Sequence, residues 1–175
     1  MLPPGLAVAL GPVLEQIAAM TVKIQQYDRT IKRLTETEYP ETQALLQVYG
    51  VGQLTALTYV LTLGSKERFK RSRDVGCYLG LRPRRSQSGD RDPQLGITKA
   101  GNIYLRSLLV ECANHVLGPR GRDSTLRQWS LHLASRGGKQ SHNRAIVAVA
   151  RKLAVLLHRI WITQEPYIPF YAVAS

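Results

Sequence analysis

Residues 42–64, TQALLQVYGVGQLTALTYVLTLG, decide the class of fold, because two helical patterns meet there at a glycine turn. The apolar spacing predicts one helix over Glu41–Val48 and a second over Gln53–Leu63. The two glycines between them, Gly50 and Gly52, allow a tight turn and the close approach of another backbone. This pattern is typical of a helix-hairpin-helix, with a small alanine in the second helix where the two helices cross.

A hairpin of this form is suited to binding a phosphate group. The first N–H groups of its second helix have no partner within the helix and point outward. We therefore expect Gly50, Gly52 and Thr55 to contact a sugar-phosphate backbone without reading bases. A corner with a purely structural role is the alternative interpretation.

Upstream of the hairpin, apolar residues recur at alternating intervals of three and four. Seven of them, from Val13 to Leu34, form a heptad seam with polar residues between. The seam predicts a coiled-coil helix that ends before Pro40 and pairs with a second copy of the chain or with a second helix absent from it; of the two, a homo-oligomer is expected. The alternative is an ordinary amphipathic helix packed on its own domain.

Downstream, helical patterns run from an N-cap at Thr98 to about Leu117, over Thr125–Ser135, and over His142–Ile162. No stretch shows the alternation of a strand. The predicted fold class is therefore all-α. Its predicted parts are a coiled-coil helix over residues 1–40, a compact helical domain with the hairpin over 41–165, and a tail over 166–175.

The net charge of the chain is +12, from 24 Lys/Arg and 12 Asp/Glu. Residues 66–106 hold a net +7 of it, which favours a nucleic-acid partner, with a basic but solvated surface as the alternative. The chain has only two cysteines, which do not indicate a disulfide framework. No stretch comes close to the run of about 20 apolar residues that a membrane span requires. With no signal peptide evident, a cytoplasmic, nucleoid-associated location is expected.

The segment between Gly76 and Gly101, GCYLGLRPRRSQSGDRDPQLGITKAG, is predicted to be a functional loop. It is rich in Arg, Ser and Gly, and its prolines and glycines break regular structure. A serine such as Ser86 or Ser88 attacks a phosphodiester only where the phosphate charge is neutralised. The planar guanidinium group of arginine neutralises this charge and binds two phosphate oxygens at once. The alternative is a serine that contacts phosphate without reacting. The nearby cations are Arg84, Arg85, Arg91, Lys99 and Arg106.

Other kinds of catalytic site are not indicated. The four histidines lie on helical patterns, and no G-x-S-x-G follows a strand, so a Ser-His-Asp hydrolase is not predicted. No Cys or His pair has the spacing of metal ligands. We therefore expect no metal and no cofactor in this chain.

Four motifs together carry a resemblance to a known family: GVGQLTA, YLGLRPRRSQSG, GITKAGNIYLRSLLVECA and GGKQSHNRAIVAVARKLAVLLHRIW. In order and spacing they resemble the C-terminal domain of the IS110/IS1111 transposases, also known as bridge-RNA-guided recombinases. The resemblance covers about residues 42–162. The heptad helix is similar to the coiled coil that precedes that domain, and Tyr49 stands where the family often has proline.

The resemblance implies a transposase or site-specific recombinase that acts on DNA with a non-coding guide RNA. In the family a serine forms a covalent link to DNA, and an N-terminal RuvC-like half carries acidic residues that bind metal. Ser88, with Ser86 as the fallback, matches the serine. The basic positions that match the motifs are Arg84, Lys99, Arg106 and Lys139.

The chain shows no RuvC-like half, so Mg²⁺ is expected only in that half, and activity is expected to need it. The alternative is a non-catalytic remnant of a transposase that binds DNA or RNA through the helix-hairpin-helix, or that regulates a full-length enzyme.

Overall fold

The computed structural model describes residues 4–84, 96–138 and 140–170, and within these ranges the chain is helical. Its helices are α1 (Pro4–Thr37), α2 (Thr42–Leu45), α3 (Gln53–Leu63), α4 (Ser72–Tyr78), α5 (Ile103–Leu117), α6 (Thr125–Ser135) and α7 (Ser141–Thr163). A single 3₁₀ turn, Lys66–Arg68, precedes α4. The predicted all-α class with a long N-terminal helix is confirmed. Among the described helices, none is long and apolar enough to cross a membrane.

Helix α7 lies at the centre of the domain, in contact with α4, α5 and α6. Its inward face alternates small and large side chains, so neighbouring helices approach that face closely. Tyr59 of α3 is completely buried against it and donates its hydroxyl to the carbonyl of Ala154 at 2.6 Å. Burial raises the pKa of this phenol well above its usual value. The buried residues of the α7 face are Ala145, Val149, Ala150, Leu153, Ala154, Leu157, His158, Ile160 and Trp161.

His158 is the one histidine in the described core, and each of its ring nitrogens has a hydrogen-bond partner. Its Nε2 lies 3.1 Å from the carbonyl of Lys66, which only accepts, so Nε2 carries the proton. Its Nδ1 lies 3.0 Å from the hydroxyl of Ser72, which donates to it. Burial lowers the pKa of the ring, and the Lys66 carbonyl partly offsets this. The imidazole is therefore neutral and joins α7 to the start of α4.

The long helix α1 leaves its heptad seam exposed. Ile24 is 59% exposed and Tyr27 69%, whereas Ile31 and Leu34 are half-buried and Thr35 is buried. Only the last turns of α1 therefore contact the rest of the chain. The structure therefore excludes the alternative in which the whole seam packs against its own domain.

Helix α5 begins later than its sequence predicts. Thr98 is not its N-cap; the helix starts at Ile103, and the Oδ1 of Asn102 accepts the N–H of Leu105 at 2.9 Å. A contact with a distant part of the chain explains the later start: the N–H of Thr98 donates to the carbonyl of Arg82 at 2.9 Å, which holds Thr98 outside the helix. The first hairpin helix is also shorter than predicted, at four residues.

Candidate functional site

Residues 80–84 and 96–101, which border segment 85–95 in the sequence, run antiparallel and form a short stem. Pro83 and Ile97 form an antiparallel bridge at its centre. Three backbone N–H groups donate across the stem: Arg84 to Gly96 (2.9 Å), Thr98 to Arg82 (2.9 Å) and Lys99 to Gly80 (3.0 Å). Arg84 and Gly96, which border segment 85–95 in the sequence, are therefore held side by side.

Two glycines at the base of the stem let its two sides cross in close contact. Gly80 has φ +69° and Gly101 has φ +75°, a region that favours glycine. A Cβ on Gly80 would overlap the backbone of Ala100, and one on Gly101 would overlap the carbonyl of Tyr78. Any larger residue at either position would force the two sides apart.

Arg106 joins both sides of this base from the first turn of α5. Its side chain is only 8% exposed, and its Nη1 donates to the carbonyls of Leu79 (3.0 Å) and Ala100 (2.8 Å). The sequence predicts a phosphate contact at Arg106, but the structure places the guanidinium inside the domain. We therefore assign Arg106 to the support of the stem.

Of the other residues predicted for the loop site, Arg84 and Lys99 lie on the stem with exposed side chains. Lys99 is unusual in having a positive φ of 58° without being glycine. Ser88, the fallback Ser86, and the cation Arg85 lie outside the described residues. Lys139 does so as well.

The glycine turn before α3 has one packed residue and one open residue. Gly50 has φ +88°, and a Cβ there would lie 3.1 Å from the carbonyl of Cys112 in α5. Gly52 is exposed at the N-terminus of α3 and has open space around it. The turn therefore rests on α5 and presents the start of α3 outward.

Thr55 does not share that outward face. Its side chain is 6% exposed, and its Oγ1 lies 3.6 Å from the Sγ of Cys112. Burial raises the pKa of the Cys112 thiol, which keeps it protonated as a donor to Thr55. The sequence predicts that Thr55 contacts phosphate; the structure turns its hydroxyl toward α5 instead.

Beside the glycine turn lies a pair of arginines that sequence reasoning missed. The hydroxyl of Tyr49 donates to the carbonyl of Arg120 at 2.9 Å, and the guanidinium of Arg122 stands 5.3 Å from the centre of the Tyr49 ring. Both arginines are exposed. The signal available was the sequence GPRGR over 118–122, a basic loop between two helices.

Within 4–84, 96–138 and 140–170, no three His, Cys, Asp or Glu side chains are grouped as metal ligands. The described part of the site presents the N-terminus of α3 and exposed arginine and lysine side chains. These groups bind and orient anions.

Comparison with known proteins places the chain among the transposases. Residues 42–125 match the family model described as Transposase IS116/IS110/IS902 family. The transposase for insertion sequence element IS1111A of Coxiella burnetii (strain RSA 493 / Nine Mile phase I) is 34% identical over 144 residues, which cover 82% of this chain and 39% of that relative. The transposase for insertion sequence element IS1328 of Yersinia enterocolitica is 32% identical over 164 residues, which cover 92% of this chain and 46% of that relative.

The chain belongs to the IS110/IS1111 family of transposases. The resemblance inferred from the four motifs is confirmed. The chain spans less than half the length of these curated relatives.

Proposed function

We propose that this chain is the part of a DNA transposase that binds DNA and supplies the serine nucleophile of strand exchange. The observation that carries the proposal is the base of the stem. Gly80, Gly101 and Arg106 hold the two sides of the stem together, so Arg84 and Gly96, which border segment 85–95 in the sequence, are kept close to each other. That segment contains Ser88.

In the proposed reaction one phosphodiester replaces another. The Oγ of Ser88 forms a bond to phosphorus, the bond from phosphorus to a deoxyribose oxygen breaks, and the serine proton ends on that leaving oxygen. Arg84 and Lys99, exposed on the two sides of the stem, are suited to neutralising the phosphate. The acidic residues of a RuvC-like half complete the site with their Mg²⁺.

The glycine turn and its neighbours are the proposed grip on the nucleic-acid backbone. The open Gly52 begins α3, where backbone N–H groups lack helical partners. Arg120 and Arg122 flank the turn through their contacts with Tyr49. This arrangement supports a helix-hairpin-helix that holds DNA, or the guide RNA, by its phosphates.

The exposed seam of α1 is the proposed contact with a second copy of the chain. An apolar stripe from Val13 to Tyr27 in water favours pairing with a similar stripe. With the apolar residues of the seam at heptad positions a and d, Lys23 falls at position g and Asp28, five residues later, falls at position e. In a parallel two-stranded coiled coil, a residue at g of one helix pairs with the following residue at e of the other helix. The proposed assembly is therefore a parallel homodimer.

The nucleophile is tested by covalent capture. The chain is mixed with a RuvC-half protein and with labelled DNA and RNA made from the sequences that flank its gene. A protein–DNA adduct that survives denaturing electrophoresis is expected for wild type and for Ser86→Ala, and is expected to disappear in Ser88→Ala. If Ser88→Ala forms the adduct like wild type, Ser88 is not the nucleophile.

A further inference from the structure

A long groove runs along α7, between the stem and α6, and the proposed reaction uses only Arg84 and Lys99 at its stem end. Its volume is about 1360 Å³, above the range of roughly 300–1,000 Å³ that is usual for small-molecule sites. Its α7 lining extends from Asn143 to Thr163, which is about 30 Å at 1.5 Å per residue. These dimensions fit an elongated segment of another macromolecule.

The floor of the groove is aliphatic. Leu126 and Leu133 of α6 face Val147 and Leu156 of α7 across it. Two aromatic side chains also line the groove: the half-buried Tyr167, and Trp129, which has the Nζ of Lys152 at 3.7 Å from its ring centre. Because bases of single-stranded nucleic acid bind by stacking on aromatic faces, a floor that is mostly aliphatic favours aliphatic side chains over bases.

The rim of the groove is cationic. Its lining contains one acidic residue, Glu165, among the residues that the structure describes, and six cations: Arg84, Lys99, Arg144, Arg151, Lys152 and Arg159. Such an imbalance beside an apolar floor calls for a partner that is apolar on one face and acidic at its edges.

One of these arginines is held in place by a glycine of the neighbouring helix. A Cβ on Gly76 of α4 would lie 3.1 Å from the Cγ of Arg151, so glycine makes the room for that side chain. Arg144 and Arg159, seven residues before and eight after it, lie on the same side of α7 and are exposed. The three cations therefore form a row along the groove, spaced about two turns apart.

We propose that this groove docks an acidic amphipathic helix of a second polypeptide. A helix of about five turns would lay its apolar stripe on the floor and its Asp and Glu side chains against the arginine row. Helix α1 of another copy does not have this chemistry, because residues 4–38 contain four Lys/Arg and four Asp/Glu. Segment 85–95 is equally unsuited, with two Arg, two Asp and a single large apolar residue.

The test uses a fluorescein-labelled synthetic helix of nineteen residues, with Leu at i, i+3, i+4 and i+7 spacing and Glu on both flanks. Its fluorescence anisotropy is titrated with the full chain, beside a scrambled peptide of the same composition. Saturable binding of the helix and not of the scrambled peptide is expected. The double variant Arg144→Glu/Arg159→Glu should weaken binding by about tenfold or more, because attraction becomes like-charge repulsion.

The matched control is Arg73→Glu/Arg136→Glu, which changes the net charge equally at exposed arginines outside the groove. It should leave peptide binding unchanged. If both double variants weaken peptide binding equally, the binding depends only on the net charge of the chain, and the proposal is overturned. A helix peptide that fails to bind overturns it as well, and an oligothymidine strand whose binding depends on Arg144 and Arg159 would make the groove a nucleic-acid site instead.

Discussion

Arg106 is the side chain whose removal should loosen the stem most directly. Arg106→Ala removes the two hydrogen bonds to the carbonyls of Leu79 and Ala100, 3.0 and 2.8 Å long, from a site that is 8% exposed. A hydrogen bond to a charged group contributes about 1.5–3 kcal/mol net, so two bonds at the lower end predict a loss of about 3 kcal/mol in the free energy of unfolding. For a chain of this size that lowers Tm by about 6–12 °C.

Urea denaturation followed by far-UV circular dichroism measures this loss. Arg106→Lys keeps the charge but replaces the planar fork by a single ammonium, and about half of the loss is expected. The exposed Arg136→Ala is the control and should stay within about 0.5 kcal/mol of wild type. At a temperature where all variants are folded, Arg106→Ala should also form less of the covalent DNA adduct, because the two sides of the stem that border segment 85–95 in the sequence are no longer fixed together.

Two results would refute this reasoning. A free energy of unfolding for Arg106→Ala equal to that of wild type would mean that the buried bonds add nothing to the domain. A destabilised variant that forms the adduct at the wild-type rate would mean that the base of the stem does not position the reacting segment.

Three further changes test other parts of the account. Gly101→Ala should lower the free energy of unfolding by more than about 2 kcal/mol, from its positive φ and the overlap it creates, whereas Gly96→Ala has open space and should cost under about 0.5 kcal/mol in the same urea assay. Burial lowers the pKa of His158, so as the pH falls the unfolded chain takes up this proton before the folded chain does. The contribution of the neutral ring to the free energy of unfolding is therefore full above about pH 6.5 and decreases below it, by at most about 1.4 kcal/mol per pH unit. In Tm measured from pH 7.5 to 5.5, His158→Gln should remove part of that fall, and the exposed His142→Gln should not. Ile24→Asp should halve the mass of the proposed dimer in light scattering, and an unchanged mass would argue against pairing through α1.

Strong periodicity made much of the fold predictable from the residues. The predicted bounds of α3 and α6 coincide with those observed, and α7 differs by one residue at each end. In these helices the apolar face is continuous, and α6 has a good cap in Ser124, whose side chain accepts the N–H of Arg127. Local pattern and tertiary packing agree there, so the sequence suffices.

The stem was beyond the same reasoning. A bridge of one residue pair, with proline on one side, has no alternation to detect. Thr98 resembles an N-cap locally, yet its N–H is used by Arg82 across the stem. A local pattern contains no information about such a partner.

The orientation of site side chains was also unpredictable where distant residues decide it. Arg106 and Thr55 both lie on helices next to functional motifs, and both are drawn inward. The carbonyls of Leu79 and Ala100 receive Arg106, and Cys112 receives Thr55. Arg84 and Lys99, on the stem itself, remain exposed. The identity of the nucleophile stays a prediction, because Ser88 and Ser86 lie outside the described residues.

The central claim is that Ser88 is the residue that joins to DNA, and peptide mapping of the adduct by mass spectrometry tests it most directly. The adduct is digested with nuclease and protease, and the peptide that retains a nucleotide is sequenced. A nucleotide is expected on the Oγ of Ser88, both in wild type and in Ser86→Ala. A nucleotide on Ser86, or on any residue outside segment 85–95, would contradict it.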